Sequence, residues 1–325
     1  MLRQKVVITD YWYETLDMEK AELAKLEGVE LSANQCKDED ALVELVQDAD
    51  AVIVQFAPIT KKVIDAMKKC KLIVRYAIGV DNIDLAAATS KGIYVANVPD
   101  YGIDEVSNHA ITLLLALSKK IIPLAASVKE GKWDYTVSKP LYRVSGKTLG
   151  LVGFGRIPIM VAKKMSGFGV KILCYDPYVN ENVPKEYGVT PVELDILLQN
   201  SDYISVHCPL NDQTRHMLSR KQFDKMKSGA IVINTARGGI IDETALIEAL
   251  QRGRIAAAGL DVTEKEPIPQ DSPLLYMDNV IITPHNAWYS EESIATLQRM
   301  VGEEVVRVLS GQLPKNLVNK EVLNK

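Results

Sequence analysis

TLGLVGFGRIPIMVAKKMSGFGVKILCYD, residues 148–176, decides the fold. A short apolar run, Leu149 to Phe154, meets a glycine turn. A helical pattern follows from about Ile157 to Phe168, and a second apolar run ends at Asp176. Strand, turn, helix and strand in about thirty residues is a βαβ crossover. Gly153 permits a tight turn, and Gly155 lets backbone approach a ligand with no Cβ in the way. The helix that follows aims its N-terminal N–H groups and positive dipole end at the turn, which suits a pyrophosphate. Asp176 sits at the tip of the second strand, placed to accept hydrogen bonds from a ribose diol. Pro158 stands where the third glycine of G-x-G-x-x-G would be. Proline is tolerated in a first helical turn, but close helix–strand packing is then in question. A carboxylate at Asp176 repels a 2′-phosphate, and no Arg or Lys follows before Lys185, so NAD is favoured over NADP.

Around this unit lies room for two domains in 325 residues. The net charge of −4 with scattered basic residues argues against direct nucleic-acid binding. Cys36, Cys70, Cys174 and Cys208 form no C-x-x-C pair and read as reduced thiols of a cytoplasmic protein. No apolar run reaches membrane-spanning length, so no membrane partner is expected. Charged residues near the start interrupt any signal-peptide core.

Residues 1–100 alternate strand and helix signals, with apolar runs at 6–9, 29–31, 51–56, 72–78 and 93–96. Amphipathic stretches at 18–26, 40–47 and 61–69 lie between them. This predicts a doubly wound parallel sheet without its own phosphate loop. A helix is expected over 104–119, then an irregular segment, 123–146, carrying Trp133 and Tyr135 as a candidate arm against another subunit. Six strands are expected from 149 onward: 149–154, 171–175, 203–208, 230–234, 256–260 and 280–283. That is a Rossmann sheet. A last helix, 291–309, could return to the first domain. The expected domains are 1–100 plus 290–325 for substrate, and 101–289 for the dinucleotide.

Ligands of open α/β sheets sit beyond the carboxyl ends of the strands. There the sequence places His207-Cys208-Pro209, Thr235-Ala236-Arg237-Gly238, Asp261 with Glu266, and Pro284-His285-Asn286. No metal-ligand spacing occurs, and no nucleophile adjoins a base. A cation, a carboxylate and an imidazole suit proton-coupled hydride transfer. Arg grips a carboxylate in a bidentate fork. His exchanges the hydroxyl proton near neutral pH, and a Glu beside such a His favours its charged form. His109, His207 and His216 read as structural or surface residues.

Gly150–Ile157, Tyr175-Asp176-Pro177, His207–Leu210, NTARGGIID at 234–242, LDVTEKEP at 260–267 and TPHN at 283–286 together resemble the D-isomer-specific 2-hydroxyacid dehydrogenases. The resemblance covers nearly the whole chain. It implies a flavodoxin-like substrate domain and a Rossmann NAD-binding domain, with the active cleft between them. It makes Arg237 the substrate-orienting cation, His285 the acid/base and Glu266 its partner. Asp261 would face the nicotinamide amide, and Arg156, Ile157, Cys208, Pro209, Thr214, Thr235 and Ala236 would line the NAD site. Arg75, Ile78 and Gly79 would hold the substrate carboxylate. It further implies a small 2-oxo or 2-hydroxy acid as substrate and a homodimer through the NAD-binding domain.

Within the family, HNAWYSEES at 285–293 resembles the C-terminal binding protein branch, where a tryptophan matching Trp288 lines the substrate pocket. A bulky 2-oxo acid would suit it. The competing phosphoglycerate dehydrogenases carry an arginine-serine pair where this chain has Gln55-Phe56-Ala57, and no regulatory domain is expected beyond Lys325. A dinucleotide-sensing dimer with little turnover is the third reading.

Overall fold

The computed structural model describes residues 3–324. Its chain divides into two compact units, one running to Gly102 and resuming at Ser290, the other Ile103–Tyr289.

The first unit holds five parallel strands: β1 (Gln4–Ile8), β2 (Val29–Ala33), β3 (Ala51–Val54), β4 (Leu72–Arg75) and β5 (Tyr94–Ala96). Their order is β2-β1-β3-β4-β5, the flavodoxin-like order. All four residues of β3 are buried, as a sheet covered on both faces requires. The expected helices form at Asp17–Leu23, Glu39–Val46 and Lys61–Ala66. A fourth, Leu85–Ser90, escaped the sequence reading because six residues give too little periodicity; its Asp84 cap accepts from Ala87 N–H. The helix Glu291–Leu309 belongs to this unit and starts at a Ser290 capping box. Gly302 lets it lie close on Asp17–Leu23, since a Cβ there would come within 2.7 Å of Glu22 Cβ.

The second unit holds seven parallel strands: β6 (Thr148–Val152), β7 (Lys171–Tyr175), β8 (Thr190–Pro191), β9 (Tyr203–Val206), β10 (Ala230–Asn234), β11 (Ile255–Leu260) and β12 (Val280–Ile282). The order is β12-β11-β10-β9-β6-β7-β8. Six strands were expected, and the seventh, β8, is only two residues long and ends in proline, so no alternation announced it. The strand order reverses between β6 and β9, which is where an open α/β sheet takes its ligand.

Helix Ile103–Ser118 turns Val106, Ala110, Leu113, Leu114 and Leu117 into the core. Among the described residues no single helix is long and apolar enough to cross a membrane. The segment expected to be irregular contains a helix, Ile121–Lys129. Pro123 sits in its first turn, where the missing N–H has no helical partner to lose. Beyond it Trp133 is 92% exposed, and Tyr135 and Tyr142 are also exposed.

Candidate active site

The glycine turn leaves the carboxyl end of β6, beside the carboxyl end of β7. Gly153 has φ +95°, and a Cβ there would lie 2.8 Å from the Cys208 backbone nitrogen. Only glycine suits that position. Gly155 caps the helix Arg156–Ser166, and a Cβ built on it meets nothing within 4 Å. Pro158 is buried in the first turn, so it packs where the third glycine would have been. Asp176 ties the turn together: Oδ2 accepts from Phe154 N–H at 2.8 Å and Oδ1 from Tyr178 N–H at 2.9 Å. Each oxygen retains a lone pair for a further donor.

After β9, His207 shares a 2.8 Å hydrogen bond with Ser205 Oγ. Burial pushes its pKa down to about 3, so it is a neutral structural residue. Burial, then the charge of Asp176, pushes the Cys208 thiol up to about 11, and burial takes Cys70 to about 12. Thr214 spends its hydroxyl on its own loop, donating to Pro209 O at 2.6 Å and accepting from Asn211 N–H at 2.8 Å.

After β10, the Asn234 side chain closes the next loop. It donates to Arg237 O at 2.9 Å and accepts from Ala236 N–H at 3.0 Å. Thr235 Oγ1 is sheltered from solvent without a hydrogen-bond partner. Arg237 Nη1 donates to Ala236 O at 2.7 Å. Gly238 interlocks this loop with the one after β11: a Cβ there would fall 2.0 Å from the Thr263 carbonyl. In the sequence Gly238 is marked only by its place beside Arg237, with nothing to announce this contact.

After β11 and β12 come Glu266 and His285. His285 Nδ1 meets Glu266 Oε2 at 2.7 Å, and Glu266 Oε1 accepts from Thr263 N–H at 3.2 Å. Burial opposes ionisation of Glu266. The His285 hydrogen bond and charge, the Thr263 N–H and the charge of Arg237 outweigh it and hold the carboxyl below its usual range. His285 has φ +52°, a left-handed conformation that costs energy in any residue with a Cβ. Asp261 holds it there. Its carbonyl accepts from His285 N–H at 2.9 Å. Its carboxylate accepts from Asn286 N–H at 3.0 Å, Ala287 N–H at 2.9 Å and Thr283 Oγ1 at 2.6 Å. Asp261 thus serves the turn itself, a role that motif matching alone does not reveal. Trp288 Nε1 donates to His285 O at 3.0 Å. His216, at the surface, stands 3.2 Å from Glu264.

In the other unit, Arg75 Nε donates to Gln55 O at 3.0 Å and Nη1 to Gly79 O at 2.9 Å, and Asp81 lies 3.6 Å away. Asn97 Nδ2 donates to Ile78 O at 2.6 Å. Phe56 packs against Trp12 with the rings tilted and their centroids 5.1 Å apart, and Lys37 Nζ lies 5.3 Å above the Phe56 ring. That cation comes from the loop after β2 and was not visible in Gln55-Phe56-Ala57 itself.

The open space over Gly155 and the orphaned Thr235 hydroxyl lie along one sheet edge, and both fit a dinucleotide. With an imidazole–carboxylate pair and an arginine on that edge, the second unit is that of a Rossmann-type oxidoreductase. Residues 111–287 match the model described as D-isomer specific 2-hydroxyacid dehydrogenase, NAD binding domain. The chain belongs to this family, enzymes that use NAD to act on the CH–OH group of 2-hydroxy acids. It is 42% identical over 87% of its length to a glyoxylate reductase of Korarchaeum cryptofilum, 86% of which is covered. It is 43% identical over 97% of its length to a D-3-phosphoglycerate dehydrogenase of Methanocaldococcus jannaschii, of which it spans 59%. A crystal structure of D-lactate dehydrogenase from Aquifex aeolicus, complexed with NAD and lactic acid, superposes with a TM-score of 0.85 at 31% identity. That match covers 94% of this chain and 96% of the other. These names support the family and stop short of the C-terminal binding protein branch.

Gly153→Ala forces a Cβ into the Cys208 backbone, so NADH affinity drops by at least tenfold in a fluorescence titration while the far-ultraviolet circular dichroism is kept. Glu266 contributes stability that is present above its ordinary value near 4.5 and is lost as pH falls through its lower folded value. The stability difference between wild type and Glu266→Gln, measured by thermal melts, therefore shrinks steadily as pH is lowered below 4.5.

Proposed function

We propose that the protein reduces an unphosphorylated 2-oxo acid to its 2-hydroxy acid, with His285 as proton donor. The observation that carries this reading is the 2.7 Å His285–Glu266 pair, mounted on a turn that Asp261 holds from below. Bound NADH supplies the hydride. Glu266 occupies Nδ1 of the imidazole, which leaves Nε2 to deliver a proton to the substrate carbonyl oxygen. Arg237 grips the substrate carboxylate as a planar fork and adds positive charge where the alkoxide develops. Arg75, Ile78, Gly79 and Trp288 are proposed substrate contacts, and Arg156, Ile157, Asp176, Cys208, Pro209, Thr214, Thr235, Ala236 and Asp261 proposed contacts of NAD. Asp176 and the Gly153–Gly155 turn give this part its strongest support.

The phosphoglycerate reading draws on the 43% identity to one such dehydrogenase, and on Lys37, which puts a cation over Phe56. The buried Gln55 offers no cation of its own. The proposal extends to a homodimer through the NAD-binding unit, supported by exposed Trp133, Tyr135 and Tyr142. It also extends to a cytoplasmic location, supported by free cysteines.

Purified protein assayed for NADH oxidation at 340 nm against about a dozen 2-oxo acids tests the proposal. The expected result is turnover of glyoxylate, hydroxypyruvate or a bulkier acid above that of 3-phosphohydroxypyruvate. His285→Ala should lower kcat at least a hundredfold with NADH binding intact, in line with the ~10²–10⁴-fold weight of acid–base catalysis. Preference for the phosphorylated acid would restore the phosphoglycerate assignment. Tight NADH binding with no turnover would favour a dinucleotide-sensing dimer of the C-terminal binding protein type.

A further inference from the structure

The helix Ile103–Ser118 carries a histidine that the proposed chemistry leaves unused. His109 Nε2 lies 2.9 Å from Thr283 Oγ1. That hydroxyl in turn donates to Asp261 Oδ1 at 2.6 Å. Donor counting fixes the directions. A threonine hydroxyl has one hydrogen, and here the carboxylate takes it. Nε2 of His109 must then carry a hydrogen and donate it to Oγ1. The same nitrogen stands 3.6 Å from Asp261 Oδ1, so the imidazole also flanks the carboxylate directly.

Asp261 is 2% exposed, and the other donors to its carboxylate are the N–H groups of Asn286 and Ala287, the two residues after His285. His109, Thr283, Asp261 and the His285 turn therefore form one hydrogen-bonded chain within the unit Ile103–Tyr289. A residue held at positive φ stays there only if its surroundings over-determine it. Without a donor at His109, the Thr283 hydroxyl can rotate, and Asp261 loses a donor for part of the time.

We propose that His109 is a positioning residue: by donating to Thr283 it commits that hydroxyl to Asp261, and so fixes the turn that presents His285. The proposal rests on His285 being the acid/base. The geometry would be relayed from a core helix to the reacting group through one hydroxyl and one carboxylate, with His109 touching neither substrate nor cofactor.

Steady-state kinetics on His109→Leu, His109→Gln, Thr283→Val, Thr283→Ser, the Leu/Val double variant and His285→Ala test it, with the best 2-oxo acid of the panel. A displacement of about 1 Å at a reacting group costs on the order of a hundredfold, so His109→Leu should lower kcat about ten- to a hundredfold. KM for NADH should change far less than kcat, because the Gly153–Gly155 turn and Asp176 are untouched and Asp261 alone among the proposed NAD contacts is loosened, and a fluorescence titration with NADH reports whether the fold survives. His109→Gln, which keeps an N–H donor of similar reach, should restore most of kcat, as should Thr283→Ser relative to Thr283→Val. The double variant should be no slower than Thr283→Val alone, because His109 acts through Thr283. Wild-type kcat in His109→Leu, or losses that multiply in the double variant, would overturn the proposal. So would equal loss in His109→Gln and His109→Leu. Normal turnover in His285→Ala would instead sink the acid/base assignment, so the two failures are distinguishable.

Discussion

One buried carboxylate holds the site in shape. Asp261 directly follows β11, and its carboxylate oxygens gather a hydroxyl and two backbone N–H groups from the loop after β12. A buried carboxylate is costly to bury unless donors surround it. Here the donors belong to the loop that carries the imidazole, so the stabilisation of the charge and the placement of His285 are the same set of bonds. The strained φ of His285 is the counterpart of that arrangement. It turns the ring towards Glu266, which hangs from the far side of the same β11 loop.

The rest of the edge follows from a parallel sheet. Successive loops leave at the same end of the strands, so residues far apart in sequence meet without long reaches. At Gly238 and Gly153 neighbouring loops come so close that a single methyl group would collide with backbone. Close loop contact at Gly238 lets Arg237 sit near enough to Glu266 to lower its pKa. Asp176 does for the dinucleotide turn what Asp261 does for the histidine turn, bracing a loop through two N–H groups.

Much of this was legible in the residues. The alternation of apolar runs with amphipathic stretches announced both sheets, because strands buried on two faces must be apolar throughout. TLGLVGFGR, NTARGGIID and TPHN marked the loops of the candidate site by setting glycine, arginine and histidine at the ends of successive strands. What escaped were contributions that have no local signature. β8 is two residues, the second of them a proline. The helix Ile121–Lys129 hid behind Pro123, whose position in the first turn could not be known before the helix start. Lys37 reaches Phe56 from a different strand end, and His109 reaches Thr283 across 174 residues of sequence. Such pairs are set by tertiary packing, which no spacing rule encodes.

A crystal structure with NADH and a non-reacting 2-oxo acid analogue such as oxamate tests the central claim most directly. The account predicts His285 Nε2 within about 3.2 Å of the analogue's carbonyl oxygen, with Nδ1 still on Glu266 and the turn still bound to Asp261. It also predicts the Arg237 guanidinium forked on the carboxylate. A bound analogue whose carbonyl oxygen faces another group, with His285 turned away from it, would contradict the account.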